Sequence, residues 1–74
     1  MKLNQIPHIY NLDKMKVYVG NRMARELWIG QHGIQWYIQE DETLRVLGNS
    51  KVECMGVVVE GCLSDIVVLE IFLK

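Results

Sequence analysis

Four side chains are soft enough to hold a metal or do thiol chemistry: His8, His32, Cys54 and Cys62. None is paired at C-x-x-C or H-x-x-x-H spacing, the patterns that bring two ligands to one side of a turn or helix. We read them as an arm histidine, a turn histidine and two small apolar fillers, and expect no metal and no cofactor. Cys54 falls within a strand and Cys62 just past its end. If that strand pairs with the next as a hairpin, the two thiols do not face each other, which argues against a disulfide. A nucleophilic cysteine needs a base and a lowered pKa, and no spacing brings His32 to either thiol.

Glu40, Asp41 and Glu42 are consecutive carboxylates. On a turn such residues project apart into water, whereas acid–base catalysis wants them facing one another across a cleft. The plain reading is a solvated turn; the functional one is an acidic patch for a basic partner, with Tyr37 nearby. Arg22, Arg25 and Arg45, with Tyr37, pose a second question, because arginine beside an exposed ring can bind phosphate and stack a base. Eight Lys and Arg against nine Asp and Glu give a formal net charge of −1. That balance supplies no basic excess to neutralise a run of phosphates, so nucleic acid is disfavoured as a partner. Gly30 and Gly33 flank Gln31-His32, but no phosphate-loop pattern follows, and they read as turn residues.

The elements that position these groups belong to one small domain of 74 residues. Residues 1–13, with Pro7 and anchors Ile6, Ile9 and Leu12, read as an N-terminal arm; residues 14–74 form the domain. "MKVYV" alternates as a strand. "RMARELWI" consists mainly of helix formers, with Asn21 as N-cap and Gly30 after its end, and predicts a short helix over 22–29. As a strand it would instead turn Trp28 away from Leu27 and Ile29. "IQWYIQ" alternates, placing Trp36 with Ile34 and Ile38 in the core, and "TLRVL" alternates again. "KVECMGVVVE" is a long strand whose phase slips near Met55-Gly56, as at a bulge. "IVVLEIFL" is a last strand, apolar on both faces and so covered twice. The sum predicts an α+β fold: an antiparallel meander of four or five strands with one short helix. The competitor is an all-β small barrel with a hairpin around "GQHG".

No apolar run approaches a membrane span or a secretory leader, so we expect a cytoplasmic chain with reduced thiols and no membrane partner. No polar groups converge in the pattern a catalytic cleft needs, and we expect no enzyme. The hydrophobic fraction, 50%, suffices for a core and for an interface. We therefore expect a small protein-interaction module with a protein partner, and a homodimer as a further option. Short motif-free chains of this class are common among phage and mobile-element inhibitors that bind and block a host protein, which would place the chain in the host cytoplasm. The expected contacts are Tyr37, Glu40, Asp41 and Glu42, with Phe72 at a self-interface. The alternatives are a nucleic-acid-binding regulator using Arg22, Arg25 and Arg45, and a small-ligand domain with a pocket lined by Trp28 and Trp36.

Overall fold

The computed structural model describes residues 1–74. A single 3₁₀ turn at Leu3–Gln5 precedes β1 (Lys14–Val19), β2 (Arg22–Trp28), α1 (Ile34–Glu40), α2 (Glu42–Val46), β3 (Val52–Glu60) and β4 (Ile66–Leu73). The fold is α+β, with one four-stranded sheet in the order β2-β1-β4-β3. β1 and β2 are antiparallel, as are β3 and β4, but the central β1–β4 pair is parallel. The sheet is therefore mixed and not a meander. Parallel neighbours need a crossover, and β2, α1, α2 and β3 make up the intervening chain. Nor is the sheet a barrel: it is open, and β2 and β3 are its edges.

The expected helix at 22–29 is a strand. Gly20-Asn21 forms the two-residue turn of a hairpin, with Gly20 at φ +62° as the first central residue of a type II′ turn requires. Pairing with β1 overrides the helix propensity of Met23–Leu27. It sets Leu27 beside Met15, and Lys16 beside Glu26. Conversely, both segments expected as strands after "GQHG" are helices. Ile34 and Ile38 lie four apart, a spacing that satisfies a helix face as well as an alternating strand. Both are buried, while Trp36 between them is exposed and outside the core. In α2, Leu44 is buried and Leu47 half-buried at helical spacing, and Val46 points to solvent. Asp41 starts this helix as N-cap, its carboxylate accepting the Leu44 N–H at 3.0 Å. The bulge in β3 also lies elsewhere than expected. It falls between Val52 and Cys54, at Glu53, while Gly56 pairs regularly with Glu70.

Met15 and Val17 of β1 and Leu69, Ile71 and Leu73 of β4 form the floor of the core. Ile34 and Ile38 of α1, Leu44 of α2, and Leu3, Ile6 and Leu12 of the arm cover it. The arm is thus a structural layer. Gln35 Nε2 donates to the Leu3 and Ile6 carbonyls at 3.1 and 3.0 Å. Only its amide NH₂ can serve two carbonyls, so the side chain has one orientation.

A domain of this size has a total stability of roughly 4–11 kcal/mol on a per-residue scale, so one core side chain is a large share of it. Leu3 is fully buried. Leu3→Ala is expected to lower unfolding stability by about 2–5 kcal/mol in a denaturant titration. A loss below about 1 kcal/mol would show that the arm is loosely attached.

Candidate interaction surface

Most of the chain's rings gather at one end of the molecule. Trp28 ends β2, and Trp36 and Tyr37 sit on α1. His32 lies in the connection between them, and His8 and Tyr10 lie on the arm. His32 stacks on Trp36 with centroids 3.9 Å apart, and Tyr37 meets the edge of Trp36 at 5.0 Å. His8 and Tyr10 pack edge to face at 4.2 Å. Lys14 lies over the Trp28 ring, 4.5 Å from its centroid, a cation–π contact that restrains the indole. Tyr10, Trp28 and Trp36 nevertheless remain 76%, 62% and 45% exposed.

One backbone contact ties this surface to the sheet. The Gly30 N–H donates to the Tyr37 hydroxyl at 2.5 Å. A Cβ at residue 30 would lie 2.9 Å from that oxygen, so any larger residue there would have to displace the end of the Tyr37 side chain. Tyr37 thereby ties α1 to the end of β2. Two clefts open beside it. One, of about 270 Å³, runs between the arm and "GQH" and includes His8, Tyr10 and His32 in its lining. The other, of about 210 Å³, is lined by Arg25, Leu27, Trp28, Tyr37, Glu40 and Asp41. Both fall below the roughly 300 Å³ at which small-molecule sites begin. Trp28 lines the second cleft and Trp36 neither, so the two indoles do not share a pocket.

The structure places the sequence-derived candidates as follows. Tyr37, Glu40 and Asp41 come together in the second cleft, and Arg25 joins them. Asp41 is already engaged, because Arg25 Nε donates to it at 2.7 Å and it caps α2. Burial alone would raise its pKa. The hydrogen bond from Arg25 and the backbone N–H groups of Leu44 and Thr43, with the guanidinium charge, outweigh this and hold it below the ordinary value. Glu40 lines the same cleft and has no ion-pair partner; Glu42 is exposed in the first turn of α2. Arg22 and Arg45 are exposed on β2 and α2. Phe72 is half-buried on β4, stacked on Tyr18 with centroids 4.9 Å apart, on the face away from the helices. That face also carries Lys16, held by Glu60 at 2.5 Å and Glu26 at 3.7 Å. The Glu60 hydrogen bond raises the Lys16 pKa, with desolvation opposing it, and lowers that of Glu60 in turn. Cys54 and Cys62 are exposed free thiols. Nowhere do three or more His, Cys, Asp or Glu side chains converge as a metal site would need. No helix is long and apolar enough to cross a membrane.

Sequence reasoning did not place Trp28, exposed in the structure, beside Tyr37, Glu40 and Asp41. Its one signal was strand phase: if 22–28 is a strand, Trp28 must point away from Leu27.

The depressed Asp41 pKa makes stability pH-dependent. Its contribution is fully present above the ordinary carboxylate pKa of 3.8 and is lost as pH falls through the lower folded value. Asparagine caps a helix about as well as aspartate, so Asp41→Asn is expected to destabilise the protein at neutral pH by about 0.3–1 kcal/mol, through the charge lost at the start of α2 and beside Arg25. It should also flatten the loss of stability below pH 4, read by thermal denaturation across a pH series. Equal acid sensitivity in both proteins would refute this role.

Comparison with protein-family models, with curated proteins and with solved structures finds no match to this chain.

Proposed function

We propose that the chain is a non-enzymatic protein-interaction module that docks a partner protein on the cleft between Trp28 and Tyr37. The observation that carries this reading is an exposed, restrained indole beside an unpaired carboxylate, Glu40, in one small cleft. Tryptophan, tyrosine and arginine dominate the residues that carry binding energy in protein interfaces, and this cleft has all three. Its volume suits a single side chain. The occupant that fits is a lysine or arginine from the partner: its aliphatic stem against Leu27, Trp28 and Tyr37, its charge beside Glu40. Restraint of Trp28 by Lys14 and of Tyr37 by Gly30 lowers the ordering cost of binding. Glu42 extends the acidic rim, while Asp41 acts through Arg25 and the helix cap. An inhibitor encoded by a phage or mobile element, blocking a host protein through one basic anchor, is the concrete form of this reading.

The test is affinity capture from nuclease-treated lysate, followed by titration of the identified partner with variants. Trp28→Ala and Glu40→Lys each change an exposed side chain, so circular dichroism should be unchanged. Each is expected to weaken binding at least tenfold, or about 1.4 kcal/mol, with Glu40→Lys chiefly slowing association. Wild-type affinity in both variants would overturn the proposal. Capture that depends on intact nucleic acid would favour the regulator reading through Arg22, Arg25 and Arg45.

A further inference from the structure

The two edges of the sheet are unlike. β2 carries Arg22, Arg25 and Glu26, its pairing with β1 shifts register at Val17/Tyr18, and Asp41 at the head of α2 grips it through Arg25. Charges, irregular pairing and a covering element are the devices by which proteins keep an edge from pairing further. β3 has none of them along Cys54–Val59, a stretch without charge or proline. Its register with β4 is regular from Cys54 to Glu60. Met55, Val57 and Val59 stand on the helix-bearing face of the sheet, beside Ile71, Leu69 and Val67, yet no helix covers them. Val57 and Val59 are 54% and 62% exposed.

The free part of this edge has definite ends. The Lys51 carbonyl faces β4, accepting from the Lys74 N–H. Residues on either side of it face outward, and the first residues of the chain already occupy them: Val52 N–H donates to the Met1 carbonyl, and Leu3 N–H to the Ser50 carbonyl. The bulge at Glu53 follows. What remains open is Cys54–Glu60, whose midpoint is Val57.

We propose that a second copy of this chain pairs antiparallel with Cys54–Glu60 about a two-fold axis at Val57, joining the two sheets into one. An axis normal to the sheet keeps both helix layers on the same side. It sets Val57 against Val57 of the second copy, Met55 against Val59, Gly56 against Val58, and Cys54 against Glu60. Each apolar pair is a stabilising cross-strand neighbour. Gly56 has open space above it, which receives the facing valine. No like charges oppose each other: Glu60, the one charge in the stretch, is held by Lys16 of its own copy at 2.5 Å. The strand is thus its own complement in shape and charge. This contact lies at the opposite edge from the Trp28–Tyr37 cleft and does not depend on it.

Sedimentation over a concentration series should show a species of about twice 8.6 kDa. Val57→Lys should restore a folded monomer, because residue 57 faces solvent within one copy and meets itself on the axis. Cross-linking locates the axis. In a background with Cys54→Ser and Cys62→Ser, Val57→Cys should form an intermolecular disulfide under mild oxidation. Residues facing across an antiparallel pair lie about 4.5–5.5 Å apart, within disulfide reach. Val59→Cys alone should not, since it would lie roughly 13 Å from its counterpart along the strands. Mixed Met55→Cys and Val59→Cys chains should cross-link to each other. A wild-type monomer at every soluble concentration, dimer mass retained in Val57→Lys, or equal cross-linking of Val57→Cys and Val59→Cys would each overturn the proposal. Should Val57→Lys unfold, the cross-linking series decides alone.

Discussion

The parallel pairing of β1 with β4 is the contact on which the rest of the structure depends. It sets Met15 and Val17 beside Leu69 and Ile71, four side chains that are wholly or almost wholly buried. Asp13 fastens one end of this pair. Its N–H donates to the Val67 carbonyl, its carboxylate accepts the Val67 N–H, and its carbonyl accepts the Ile29 N–H. One residue thus stitches β4, β1 and the end of β2. Because the first and last strands are neighbours, everything between must leave one side of the sheet and return on the other. The ring-bearing connection, both helices and β3 owe their places to that requirement.

A central β1–β4 pair also decides what is left uncovered. The layer over the sheet is short: α1 has seven residues and α2 five, about 10 and 8 Å at 1.5 Å per residue. β3, with nine residues, runs about 30 Å. Helices of that length, even with the arm added, cover β1 and β4 and leave β3 bare. The exposed valines follow from topology and helix length together.

The strands were legible where alternation had only one solution. β1 and β4 show it, and the inward set Val67, Leu69, Ile71 and Leu73 is the one the phase of "IVVLEIFL" implies. The middle of the chain was misread for a physical reason. Ile34 and Ile38 are two strand repeats apart and also one helical turn apart, so periodicity could not choose between them. In "RMARELW" the residues favour a helix locally, but cross-strand partners outside the segment supply the stabilisation, and no local window contains them. Asp41 was legible as an acid but not as an N-cap, since its role depends on α2 existing. Tyr37, Glu40 and Asp41 were legible as neighbours in sequence; that Trp28 meets them follows only from the hairpin that returns β2 alongside β1. The bulge was anticipated from Gly56 but occurs at Glu53, where the arm's hydrogen bonds end.

Small domains bury a modest fraction of their surface, so leaving two tryptophans and a run of valines in water is a real energetic cost that a partner would relieve. The two kinds of exposed surface are segregated. Aromatic rings and an unpaired carboxylate lie at the end of β2, whose edge is charged and gripped by α2. Plain aliphatic strand lies at β3, whose backbone is open. Flat aliphatic edges recognise by main-chain pairing and register; rings with a charge at their rim recognise by a side-chain anchor and its complementarity. Placed at opposite edges, the two modes do not compete for space. A dimer built through β3 would carry two ring-lined clefts on its two outer edges, each free to hold an anchor of the same partner. Such an assembly gains strength from bivalent engagement wherever the partner itself presents its anchors in pairs.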